Sequence, residues 1–109
     1  MLKFTVAVLS SGDQKCEIVF PYEVRDRENI FEDERFAEFM KTVPIGSSVI
    51  IDIRRYVYPS RLNRKAEYKR YSDLLDQIQK DSRFIDKNCE KTSSEAFSRN
   101  VADKVEKIF

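Results

Sequence analysis

The residues best suited to chemistry crowd between Arg54 and Tyr71. Arg54, Arg55, Arg61, Arg64, Lys65, Lys69 and Arg70 stand there against one acid, Glu67, so the stretch carries +6 in a chain whose total is only +1. Four of the five tyrosines, Tyr56, Tyr58, Tyr68 and Tyr71, fall in the same place. Guanidinium and ammonium groups neutralise phosphates and release condensed counterions, and exposed aromatic rings give bases a stacking platform. On a strand, Arg54, Tyr56 and Tyr58 share one face, because successive side chains alternate. Arg64 and Lys65 open a helix, where the dipole disfavours cations unless an anion lies between them. Arg54, Arg55, Tyr56, Tyr58, Arg61, Arg64 and Lys65 are therefore the expected contacts of a small, non-enzymatic binder of DNA or RNA.

A second reading has a different partner. From Glu23 to Glu38 seven carboxylates face three arginines, so an acidic block opposes the basic one. Complementary blocks steer protein encounters and suit two-fold self-association. A protein-interaction regulator or inhibitor, homodimeric or bound to another chain, would use residues 23–38 and 54–71 in this way. Salt separates the two, since phosphate contacts weaken steeply with ionic strength and an apolar interface core does not.

Catalysis has one thread. Asp52 closes an apolar strand, and Glu67-Tyr68-Lys69 follows. This spacing is similar to the D…(D/E)-x-K arrangement of metal-dependent nucleases, in which two carboxylates hold Mg²⁺ and the lysine assists water. Those enzymes carry the second half on a strand, whereas Glu67 and Lys69 fall within a helical pattern. The chain has no histidine, so no Ser-His or Cys-His pair can form. Cys16 and Cys89 belong to no CxxC motif and offer a poor zinc site. No catalytic residue, metal or cofactor is expected.

The elements that must position these side chains follow from the periodicity. Leu2, Phe4, Val6 and Val8 alternate with more polar residues, and Cys16, Ile18, Phe20, Tyr22 and Val24 do so again beyond a Ser-Ser-Gly-Asp turn. A β-hairpin pairing 2–9 with 15–24 is expected, its second strand lying at an edge or stopping at Pro21. Asn29 and Glu32 are spaced as a capping box for a helix over 31–41 that buries Phe36, Phe39 and Met40 and stops at Pro44 and Gly46. Residues 49–58 read as a strand with Val49, Ile51, Ile53 and Val57 inward. A helix over 64–80 would bury Tyr68, Tyr71, Leu74, Leu75 and Ile78, with Phe84 and Ile85 anchoring the connection beyond it. Thr92 and Glu95 have the spacing of another capping box, for a helix over 93–107 with Phe97, Val101, Val105 and Ile108 as its stripe.

The fold class expected is α+β in ββαβαα order, a small antiparallel-rich sheet packed against three helices. At 109 residues the chain fits one domain, 1–109, and should bury roughly two-thirds of its unfolded surface. It needs no disulfide framework for that. Near-cancelling charge of both signs argues against disorder and against gripping nucleic acid by bulk charge. Apolar runs are too short to cross a bilayer and the start lacks the apolar core of a signal peptide. A cytoplasmic, reducing environment without a membrane partner is the expectation.

Overall fold

The computed structural model describes residues 2–58 and 64–101, with residues 64–71 and 82 described in backbone only. Its elements run β1 (Leu2–Ser11), β2 (Gln14–Phe20), α1 (Glu28–Phe31), α2 (Glu34–Thr42), β3 (Ser48–Tyr58), α3 (Arg64–Lys80), α4 (Ser82–Asn88) and β4 (Glu90–Asn100). The fold is α+β, around one sheet of order β2-β1-β3-β4 in which every neighbouring pair is antiparallel.

The N-terminal hairpin forms, but over a shorter span than 2–9 with 15–24: Thr5–Ser11 pair with Gln14–Phe20, and Tyr22 and Val24 lie beyond the strand. Ser11 pairs with Gln14, leaving Gly12 and Asp13 as a two-residue turn whose positive φ of 57° falls on the glycine. β2 lies at the sheet edge and ends at Phe20, ahead of the donor-less Pro21. β1 is the apolar centre of the molecule, with Leu2 and every residue from Phe4 to Leu9 buried. Phe4, Val6 and Val8 join Leu2, Val19, Ile78 and Ile85 in a cluster on one face. Ala7 and Leu9 join Ile18, Ile51, Ile53, Phe36 and Phe39 in a cluster on the other. Helices α1 and α2 thus cover one side of the sheet, α3 and α4 the other.

Three expectations need correction. The order is ββααβααβ, with four helical segments and a fourth strand among the described residues, rather than ββαβαα with three helices. The helix placed over 31–41 is divided, because Asp33 is extended (ψ 136°) and caps α2 through its carboxylate, which accepts from the Arg35 amide. Asp33, not Asn29, does the capping; an anion there also suits the helix dipole. Phe36, Phe39 and Met40 nevertheless fill the core as their spacing implies.

The helix placed over 93–107 is the largest error. Residues 90–100 form β4, paired along β3 from Ser48 to Val57. Phe97 and Val101 are four apart, and four is a helical step and an even strand step alike. Only tertiary context separates them. Thr92, Ser93 and Ser94 favour a helix weakly, whereas β3 presents an open edge of β-branched residues that gains a ladder from pairing. Instead of capping, Thr92 donates its hydroxyl to the Arg55 carbonyl at 3.3 Å and Glu95 binds arginines. Val105 and Ile108 lie outside the described residues.

Candidate interaction edge

Strand alternation sends the two arginines at the head of the basic stretch to opposite faces of the sheet. Arg55 sits on the α1–α2 side, only 14% of its side chain exposed. Its Nε donates to the Val24 carbonyl at 2.6 Å, one terminal nitrogen to the Ser93 hydroxyl at 3.3 Å and the other to Glu95 at 3.2 Å. It clamps the segment that leaves β2 onto β3 and β4. Arg54, on the other face, donates Nε to Asp52 at 2.8 Å, and that ion pair raises the guanidinium pKa above its ordinary value.

Tyr56 and Tyr58 share Arg54's face, as alternation requires, but their rings are packed. Tyr56 lies across from Phe4 and stacks on it at 5.3 Å between centroids. Burial pushes its hydroxyl pKa up, partly opposed by the nearby Arg54. Tyr58 stacks on Phe84 of α4 at 6.1 Å. Both rings belong to the margin of the α3–α4 core. Arg61 lies outside the described residues, as do the side chains of Arg64, Lys65, Tyr68 and Tyr71 on α3. The described members of the basic stretch therefore form no single surface.

Part of the acidic block is engaged with neighbouring cations. Asp33 and Arg35 form a two-pronged pair at 2.9 and 3.0 Å, which holds the Asp33 carboxyl below the usual range. Glu23 contacts Lys3 and Arg25. Asp52, the first carboxylate of the nuclease-like spacing, is taken by Arg54, and Glu67 and Lys69 lie on helix α3. Among the described residues no three His, Cys, Asp or Glu side chains converge on a metal position. Cys16 and Cys89 are free thiols in separate clusters on opposite sides of the sheet. Within the described residues no helix is long and apolar enough to cross a membrane.

What the fold does assemble is the outer margin of β4. Glu95, Phe97 and Arg99 point to the α1 side and are half-buried, while Ser94, Ala96 and Ser98 point to the other side and are exposed. Arg27 lies 3.9 Å above the Phe97 ring, Arg99 lies 4.4 Å above the Phe31 ring, and the two rings meet edge-on at 6.0 Å. The result is an arginine–phenylalanine ladder at the surface, bordering a shallow groove lined by Glu28, Phe31, Phe97, Ser98 and Arg99. Arg55 first, then Arg27, draws the Glu95 carboxyl below its ordinary pKa.

The backbone beside this ladder faces outward. The Val101 amide donates to the Ser47 carbonyl at 3.0 Å, which turns Val101 toward β3. Peptide groups alternate along an antiparallel strand, so Glu95, Phe97 and Arg99 also turn inward, and Ser94, Ala96 and Ser98 present N–H and C=O groups away from the sheet. None of the described residues pairs with that side. A helical reading of residues 93–107 conceals this edge; the alternation of Glu95, Phe97, Arg99 and Val101 with small polar residues is the signal for it. No family model matches the chain, and comparison with curated proteins and with solved structures finds no significant match.

Proposed function

We propose that this chain is a small protein-interaction module that receives a partner protein along the outer edge of β4. One observation carries the proposal: a strand edge with no neighbour among the described residues lies directly beside two half-buried phenylalanines, each with an arginine over its ring. Aromatic and arginine side chains dominate the energetics of protein interfaces, and an unpaired strand edge offers main-chain hydrogen bonds to an incoming strand. Proteins ordinarily blunt such edges with lysine, proline, bulges or short strands. β2 follows that practice, being seven residues long, carrying exposed Lys15 and Glu17 and stopping before Pro21. β4 is eleven residues long, and its one irregularity lies opposite Arg55 and Tyr56, away from Phe97.

Nucleic-acid binding would draw on Arg54, Arg61, Arg64 and Lys65. It has less support once Arg55 is committed to Val24 and Glu95 and the rings of Tyr56 and Tyr58 are packed. A photo-crosslinking amino acid placed at Ser98, and as a control at Glu17 on β2, decides between the partners. In an extract of the source cells, nuclease-resistant adducts to protein at position 98 and few at position 17 are the expected result. Adducts that disappear with nuclease, or equal yields at both positions, would overturn the proposal.

A further inference from the structure

The β4 edge also has a sequence that fits its own copy. Resting on the interaction reading above, we propose that the occupant of the edge is a second copy of this chain, paired antiparallel through β4 about a two-fold axis at Phe97. The register follows from side-chain order on one face of the strand. Glu95, Phe97 and Arg99 place an acid, an aromatic ring and a base at successive steps. Turning the strand over about Phe97 sets each Glu95 across from the other copy's Arg99 and brings the two Phe97 rings together.

The backbone agrees with this register. Phe97 turns its peptide groups inward, so the pair on the axis is a non-hydrogen-bonded one, the closer of the two antiparallel spacings. On either side, Ala96 meets the other copy's Ser98, and both present outward N–H and C=O groups. These exchange the ladder hydrogen bonds. Their short side chains keep that face of the junction clear.

Other registers that keep the same faces together are worse: centring the axis on Ala96 or Ser98 gives up both Glu95–Arg99 pairs. Sliding the axis to Glu95 would set that carboxylate against its own copy, and sliding it to Arg99 would do the same to the guanidinium. Like charges placed directly opposite are destabilising, so the charge pattern selects the Phe97-centred arrangement. A two-fold contact of this kind is closed and uses the same patch on both copies.

Sedimentation or light scattering of the full chain tests the proposal, using Arg99→Glu and Glu95→Lys. Each variant alone repels itself at both charge pairs, and its dimer dissociation constant is expected to rise about tenfold or more. A one-to-one mixture of the two variants sets position 95 of each against position 99 of the other. Opposite charges then meet at both junctions, and a heterodimer is recovered. Because Glu95 also binds Arg27 and Arg55, a third variant guards against simple misfolding. Ser98→Pro removes an outward donor, leaves the β3 ladder intact and is expected to be a folded monomer. A monomeric parent, charge variants that dimerise unaided, or a dimeric Ser98→Pro would each overturn the self-pairing. Protein adducts at position 98 to a different chain would then leave the interaction reading standing, whereas their absence would remove both.

Discussion

Thr5 and Arg55 are direct cross-strand partners, and each holds one polar atom of the same distant residue. The Thr5 hydroxyl accepts from the Val24 amide at 2.9 Å, while Arg55 Nε donates to the Val24 carbonyl at 2.6 Å. The same hydroxyl donates to the Tyr22 carbonyl at 2.9 Å. Two side chains on neighbouring strands thus lash the segment after β2 across the sheet and carry the chain toward α1.

Arg55→Ala should act on stability. It leaves the Val24 carbonyl without its charged donor and Glu95 with Arg27 alone, a loss of about 2 kcal/mol. Urea unfolding measures it. Arg55→Lys should recover only part, since an ammonium cannot span Val24, Ser93 and Glu95 at once. An unchanged unfolding midpoint in Arg55→Ala would contradict the clamp.

Thr5→Val keeps the shape and removes both hydrogen bonds. Thr5 is fully buried, so the unpaired Val24 amide and Tyr22 carbonyl should cost about 1–3 kcal/mol. Thr5→Ser retains the hydroxyl and should lose only the buried methyl, about 1 kcal/mol. Thermal melts in which Ser is worse than Val would show that packing, rather than bonding, matters at this position.

Tyr56→Ala should lower stability by about 2 kcal/mol through the lost stack on Phe4, the half-buried site giving less than a fully enclosed ring. Tyr56→Phe should be nearly neutral. A Tyr56→Ala variant as stable as the parent would return the ring to the candidate stacking platforms.

Asp33 sets an acid dependence. Arg35 lowers its folded pKa below the unfolded value, so its stabilisation is present above the unfolded pKa and is lost as pH falls through the folded one. Asp33→Asn keeps a side-chain oxygen for the Arg35 amide and removes the charge. The melting temperatures of parent and variant should differ near neutrality and converge below the carboxylate range. A gap that persists at low pH would mean that shape rather than charge is responsible.

Local features of this fold are legible in the sequence, and those that depend on distant partners are hidden. The hairpin, the buried Phe36–Phe39–Met40 face and the span of α3 each follow from near neighbours in the chain. Residues 90–100 do not, because Phe97 and Val101 satisfy both periods and the choice lies with β3, far earlier in the chain. The candidate site is hidden for the same reason. Charge counted along residues 54–71 treats Arg54 and Arg55 as one patch, but a strand sends them to opposite faces. The ladder of Arg27, Phe97, Phe31 and Arg99 draws on two segments that only the folded sheet brings together.

Because β1 buries side chains on both faces, its position early in the chain shapes how the molecule must be born. Ala7 and Leu9 await Ile53 and Ile51, and Phe4 awaits Tyr56, all of which leave the ribosome much later. In the interval the β1–β2 hairpin lacks its central partner, with one greasy side destined for Phe36 and Phe39 and the other for Ile78 and Ile85. Such a nascent hairpin is adhesive on both sides. Cells that synthesise this protein quickly, or at high temperature, should need a chaperone that holds the growing chain until β3 emerges.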